Sequence, residues 1–272
     1  MLKNKTPFVS ALAGAALIAC SLGAHAIPVN PLAIYTFENS DASDSSGNGN
    51  DGTLRGGVTF TGAGAGQDGG RAMDVSVLSG LSGVDTGIDI AASALGSITF
   101  GAWVNPRTLG QGNAGKIMSH DNGGFDRTIG IDARGDTSGT NFAAFTGSSV
   151  ADADAPFDGI AFGSWTHVAV TYDGTNGQLF INGLLAETFA DNTGNNLSSF
   201  ALHIGGNPGF NEDFDGLIDD AFVYGRALTS PEIGDIVENG FVVRSAPAPE
   251  PATLALLGLG LLGAGVARRH KV

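Results

Sequence analysis

The stretch Ser97-Ile98-Thr99-Phe100-Gly101-Ala102-Trp103-Val104 decides the fold class. Ile98, Phe100, Ala102 and Val104 fall on one face and Trp103 on the other, the period-two pattern of a β-strand. Both faces carry apolar bulk, so the strand belongs to a sheet that is covered on both sides or curved around a core. Working outward, Ile34 to Glu38, Thr166 to Asp173, Gln178 to Asn182, Ala201 to Gly205 and Leu217 to Tyr224 read as further strands. Asn182-Gly183, between two β-rich runs, predicts a hairpin with a type I′ turn. Leu228-Thr229-Ser230-Pro231-Glu232-Ile233 carries a hydroxyl cap, a proline in the first turn and an early glutamate. It predicts a short helix of about two turns, closing near Asn239-Gly240. The expectation is an all-β domain with one short C-terminal helix.

Composition agrees with many short strands and tight turns: 43 of 272 residues are glycine and only 15% are charged. The formal charge is −14, yet Lys3, Lys5, Arg268, Arg269 and Lys271 all lie in the two ends, so the part between is more acidic still. Without a basic patch such a domain repels phosphate backbones, which excludes nucleic acid as a partner. Aspartates beside glycine and asparagine in loops can gather a divalent cation, and they are equally ordinary Asx-turn formers. The single cysteine, Cys20, falls in the export signal, so the folded domain has neither disulfide nor thiol chemistry.

The ends read as addresses. Lys3 and Lys5, the apolar run Phe8 to Ala19 and Ala24-His25-Ala26 compose a signal peptide over residues 1–26. Leu17-Ile18-Ala19-Cys20 also fits a lipobox in which Cys20 would be lipidated, and both readings export the chain. At the other end, residues 245–252 form a proline-rich linker, 253–267 an apolar helix, and 268–272 a basic tail left on the cytoplasmic side. The apolar run is shorter than the roughly 20 residues of a full span, which predicts a transient membrane anchor. Pro249-Glu250-Pro251, the short Leu/Gly/Ala helix and the arginine cluster resemble, over residues 247–272, the PEP-CTERM sorting signal. The resemblance implies processing by an exosortase, a membrane cysteine transpeptidase, in a Gram-negative bacterium. The destination it implies is the cell surface, outer envelope or extracellular matrix.

Between the ends, residues 27–244 resemble the laminin-G-like, concanavalin A-like jelly rolls of bacterial surface proteins. The residues that carry this are Asp44 to Gly52, Ile98 to Val104, Trp165 to Gly174, Leu179 to Gly183, Phe214 to Asp220, Tyr224 and Arg226 to Leu228, in the family's order. The resemblance implies a two-sheet antiparallel sandwich whose curved sheet and loops bind glycans or proteins. It also implies a structural Ca²⁺ on Glu38, Asp44, Asn50 and Asp219, completed by loop carbonyls, a hard-oxygen set suited to calcium. Alternation places Asp219 in phase with Ala221 and Val223, facing inward, where a carboxylate needs a partner. Backbone N–H groups of a glycine loop are the alternative partner for Asp219.

Some glycoside hydrolases share this fold, but their three acidic residues at alternating strand positions are missing. The nearest cluster, Glu212-Asp213-Phe214-Asp215, sits in a loop, so no catalytic residue is assigned. His167 reads as a packed, hydrogen-bonded strand residue, and Arg134-Gly135-Asp136 as turn chemistry. For glycan contact, local composition offers Phe125, Asp126, Arg127, Phe157, Phe210 and Asn211. The functional expectation is an exported, non-enzymatic binding module for polysaccharide or surface glycoprotein. The alternatives are a structural envelope or matrix component without a ligand, and a hydrolase.

Overall fold

A computed structural model describes residues 28–76, 82–121, 127–133, 141–147, 149–153, 156–157, 159–193 and 201–241. In chain order the strands are β1 (Ala33–Tyr35), β2 (Thr53–Arg55), β3 (Thr59–Phe60), β4 (Met73–Val75), β5 (Gly83–Asp85), β6 (Ile98–Pro106), β7 (Lys116–His120) and β8 (Arg127–Asp132). They continue with β9 (Asn141–Thr146), β10 (Ser149–Asp152), β11 (Thr166–Tyr172), β12 (Asn176–Ile181), β13 (Leu184–Ala190), β14 (His203–Ile204) and β15 (Gly216–Tyr224), before helix α1 (Ser230–Asn239). The first sheet runs β13-β12-β11-β6-β15-β4-β3, with β1 also on β15, and the second β10-β9-β8-β7-β14-β5-β2. Every named strand pair among the described residues is antiparallel. The architecture is a jelly-roll sandwich.

Alternation along β6 works as the sequence requires. Ile98, Phe100, Ala102 and Val104 enter the core between the sheets, with Val168 and Val170 of β11, Ile129 and Ile131 of β8, and Ile218, Ala221 and Val223 of β15. The opposite face of the first sheet is apolar because α1 covers it: Ile34, Ala169, Phe180, Phe222 and Tyr224 pack with Leu228, Ile233 and Ile236. The helix is anchored where the sequence places its start. Glu232 accepts a hydrogen bond from the Thr229 backbone N–H at 2.9 Å and is gripped by both Arg226 terminal nitrogens, at 3.0 and 2.6 Å. Gly240 caps the end where the sequence places it, and the ten residues between make nearly three turns where about two were expected.

The β12–β13 turn is type I′: Asn182 and Gly183 both have positive φ, 49° and 80°. The first strand stops sooner than its apolar run, at Tyr35, because Phe37 turns to a φ of 59° to bury its ring near Phe60. Strands β7 to β10, which the sequence does not announce, are four of the seven strands of the second sheet.

Arg127, at the start of β8, is 1% exposed and holds the far end of the sandwich. It donates to the carbonyls of Ile90, Leu95 and Gly96 at 3.1, 2.5 and 3.2 Å, lies 3.6 Å from Asp191, and covers the Tyr172 ring. It is a structural anchor and presents nothing to a glycan.

Candidate functional site

The four sequence-predicted metal ligands fall into two groups. Asp44 turns both oxygens to backbone N–H groups beside its own loop: Oδ1 accepts from Ile34 at 3.1 Å and Ser46 at 2.8 Å, and Oδ2 from Asn50 at 3.0 Å. Burial opposes its ionisation, but these bonds and Ser46 hold its pKa below the usual value. Asn50 donates its side-chain amide to the Leu32 carbonyl at 2.7 Å. These two residues pin the loop after β1.

Glu38 and Asp219 instead meet on the loop before β4. Glu38 Oε1 accepts from the Arg71 N–H at 2.8 Å, and Asp219 Oδ2 from the Gln67 N–H at 2.8 Å. Asp219 Oδ1 takes the Asp220 N–H at 2.9 Å. A β-bulge in β15 between Asp219 and Phe222, with Asp220 at a φ of 47°, breaks the alternation on which the inward reading of Asp219 rested. Asp219 pairs with Trp103 on the face that α1 covers, and is buried there by the loop. Burial, with Asp68 and Glu38 nearby, pushes its carboxyl up to about 7 against the pull of its two N–H bonds. Asp220 is likewise raised to about 7, by burial and then by Asp219, Asp68 and Glu38. The bulge thus creates an acidic cluster of Glu38, Asp68, Asp219 and Asp220, of which composition singled out only two members.

Next to this cluster lies a cleft of about 490 Å³. It is lined by Gln67 and Asp68 of the loop before β4, Trp103 of β6, Asp220 of β15, and Asn239 and Phe241 at the end of α1. Six of its eleven lining residues are polar or acidic, with Thr36 and Glu238 joining Gln67, Asp68, Asp220 and Asn239, and Trp103 and Phe241 are its aromatic members. Trp103 is positioned from behind by His167 at 5.3 Å, edge to face, and His167 stacks on Phe222 at 5.8 Å. Neither ring nitrogen of His167 has a hydrogen-bond partner, and burial drives its pKa down to about 3. The histidine is packed, as its strand position implies, and is hydrogen-bonded through its backbone to Asn182 but not through its ring.

Of the composition-based glycan candidates, Phe157 packs against the core, while Phe210 and Asn211 stand exposed away from the cleft lining. Phe125 and Asp126 lie outside the described residues, as do Arg134-Gly135-Asp136, the signal peptide, the apolar segment and the motif Pro249-Glu250-Pro251. In the nearest acidic cluster for hydrolysis Glu212 and Asp215 are structurally tied, while Asp213 between them is buried with no hydrogen-bond partner for its carboxylate among the described residues, and burial raises its pKa. Asp215 accepts from Arg107 Nε at 3.2 Å and Thr108 Oγ1 at 2.8 Å, and Glu212 from Asn207 at 3.1 Å.

Comparison with known proteins agrees with the architecture. Residues 82–234 match the model of the concanavalin A-like lectin/glucanases superfamily. The chain belongs to this superfamily. Residues 247–270 match the PEP-CTERM protein-sorting motif, which marks an exported envelope protein processed by an exosortase. Domain 4 of AbnA, a GH43 extracellular arabinanase from Geobacillus stearothermophilus solved with arabinotriose, is 24% identical, with a TM-score of 0.59. That match covers 77% of this chain and 98% of the other. The binding domain of Paraclostridial Mosquitocidal Protein 1 is 15% identical over 76% of this chain and 52% of its own, with a TM-score of 0.58. The binding domain of botulinum neurotoxin serotype D/C is 15% identical over 78% and 52%, with a TM-score of 0.53. The concanavalin A-like chain thus spans about half the length of these toxin domains, and at such identities the likeness is one of fold. No curated protein matches the chain. Among the described residues no helix is long and apolar enough to cross a membrane.

Proposed function

We propose that the domain is a non-catalytic polysaccharide-binding module, displayed at the cell surface or in the extracellular matrix once the sorting segment has been processed. The cleft lined by Trp103 carries this reading. Trp103 and Phe241, the latter packed on Phe222, would offer apolar surface to a sugar ring, and Gln67, Asp68, Asp220 and Asn239 hydrogen-bond partners for its hydroxyls. The arabinanase domain of the same fold was solved with a sugar, arabinotriose, which is consistent with this assignment. The tied Glu212 and Asp215 argue against hydrolysis.

Calcium is the second part of the proposal. No three His, Cys, Asp or Glu side chains among the described residues sit close enough to hold a metal by themselves, so backbone carbonyls must complete any shell. The carboxylate oxygens of Glu38, Asp68 and Asp219 are donors of the kind a hard cation takes, burial with Asp68 and Glu38 nearby raises the Asp219 carboxyl, and a cation would compete with the backbone N–H groups that Glu38 and Asp219 accept from. A bound Ca²⁺ would neutralise this crowding and fix Gln67 and Asp68 in the lining of the cleft. Asp44 and Asn50 would support it only through the loop they pin.

The test is a polysaccharide pull-down and glycan array on the exported protein, including the exopolysaccharide of its own host. Retention of at least one polysaccharide supports the module. Uniformly negative results would favour a structural matrix component without a ligand, and release of reducing sugar would revive hydrolysis.

A further inference from the structure

The outer face of the second sheet holds a different chemistry, built from residues that do not line the cleft. Lys116 on β7 is 2% exposed, and its Nζ lies 3.7 Å from Asp132 Oδ2 on β8 and 3.8 Å from Glu212 Oε2. The same nitrogen sits 3.8 Å from the centre of the Phe145 ring on β9. Asp132 is also 2% exposed, and the Glu212 side chain 12%.

Three features of the chain build this pocket. The β7–β8 register pairs Lys116 with Gly130, whose missing side chain lets the lysine stem cross β8; a Cβ there would come within 2.9 Å of Lys116 Cδ. Asp132 follows two residues on, hence on the same face, and Phe145 occupies that face of β9 through its pairing with Thr128. Glu212 arrives on the segment beside β7: its carbonyl accepts the Lys116 N–H at 2.9 Å, and Asn207 Nδ2 steadies its carboxylate at 3.1 Å. Among the described residues, one ammonium therefore faces two carboxyl groups in a nearly dry, aromatic-floored pocket. Ion pairs so placed lose much of their attraction to desolvation, whereas a neutral amide keeps the contact without separated charge.

We infer that Lys116 and Asp132 are joined by an intramolecular isopeptide bond, made after folding with Glu212 as proton carrier. The Lys116 ammonium gives a proton to Glu212, and the neutral amine attacks Cγ of Asp132. The new C–N bond forms as one C–O bond breaks. The departing oxygen leaves as water with both protons lost by the nitrogen, one of them returned through Glu212. Nothing is oxidised or reduced, and no co-reactant is consumed. The bond fastens β7 to β8 in a domain whose only cysteine, Cys20, lies in the export signal and can supply no disulfide.

Intact-mass spectrometry of the purified exported protein tests this directly. The expected mass is that of the mature chain less one water. Proteolysis should give a branched peptide carrying both Lys116 and Asp132, and trypsin should not cut after Lys116. Glu212→Gln, which keeps the size of the side chain, and Lys116→Arg should both appear at full mass. A wild-type protein at full mass, with trypsin cleaving after Lys116, would overturn the inference. So would a loss of water that maps to an Asp-Gly succinimide such as Asp173-Gly174. A branched peptide persisting in Glu212→Gln would overturn the role given to that residue.

Discussion

Replacing His167 with phenylalanine should remove a sensitivity to mild acid that the packing of the first sheet creates. The imidazole is fully buried between Trp103 and Phe222, with no partner for either nitrogen, and burial lowers its pKa from 6.5 to about 3. The unfolded chain therefore takes up a proton near pH 6.5 that the folded chain refuses until about pH 3. Stability is complete above pH 6.5 and falls with pH through that window. Each unit below 6.5 costs about 1.4 kcal/mol, so bringing the protein from pH 7 to pH 5 should cost about 2 kcal/mol through this group alone. Asp219 and Asp220, raised to about 7, act with the opposite sign, because their folded forms bind protons more readily than the unfolded chain. The informative quantity is thus the difference between wild type and His167→Phe. Urea unfolding at both pH values should show the wild type losing about 2 kcal/mol more than the variant. A difference between the two proteins that stays constant from pH 7 to pH 5 would refute the reasoning.

Three further outcomes follow from the same geometry. With calcium at one hundred times its dissociation constant the domain should gain about 2.7 kcal/mol, a rise in Tm of roughly 2–4 °C per kcal/mol. EGTA should reverse that rise and Asp219→Asn should abolish it; a melting curve indifferent to both would remove the cation. Arg127→Met should destabilise the fold by about 3–5 kcal/mol in denaturant titration, because it strips three carbonyls and Asp191 of a buried partner. A loss below about 1 kcal/mol would contradict the anchoring role. In a host carrying the exosortase, Glu250→Ala or deletion of Arg268 and Arg269 should leave the protein unprocessed in the membrane fraction; normal release would reduce the segment to a plain anchor.

Much of the first sheet is legible in the sequence because its strands obey one rule. In β6, β11, β12 and β15 one face is continuously apolar, and the Asn182-Gly183 turn and the Thr229 to Glu232 helix start punctuate them. The second sheet hides. Lys116, Thr128, Asp132 and Asn141 are polar yet buried, so apolar alternation fails in β7, β8 and β9 although all three are covered on both faces. The candidate site was half visible. Trp103 announces itself as outward-facing bulk, but the α1 terminus that brings Phe241 beside it depends on packing across the sheet. Glu38 and Asp219 could be paired from the order of the strands. The bulge at Asp220 and the contribution of Asp68 could not, since a bulge shifts phase without a distinctive residue type, and the glycine-rich run around Gln67 was the only signal.

The most direct measurement of the account's central claim is titration calorimetry of the exported protein with whichever polysaccharide it retains, set beside Trp103→Ala and Phe210→Ala. Removing an aromatic platform at the centre of a contact typically costs about 2 kcal/mol, so Trp103→Ala should weaken binding by about tenfold or more. Phe210, 47% exposed and outside the cleft lining, should be replaceable without effect. Unchanged affinity in Trp103→Ala, or a loss confined to Phe210→Ala, would contradict the cleft as the binding site.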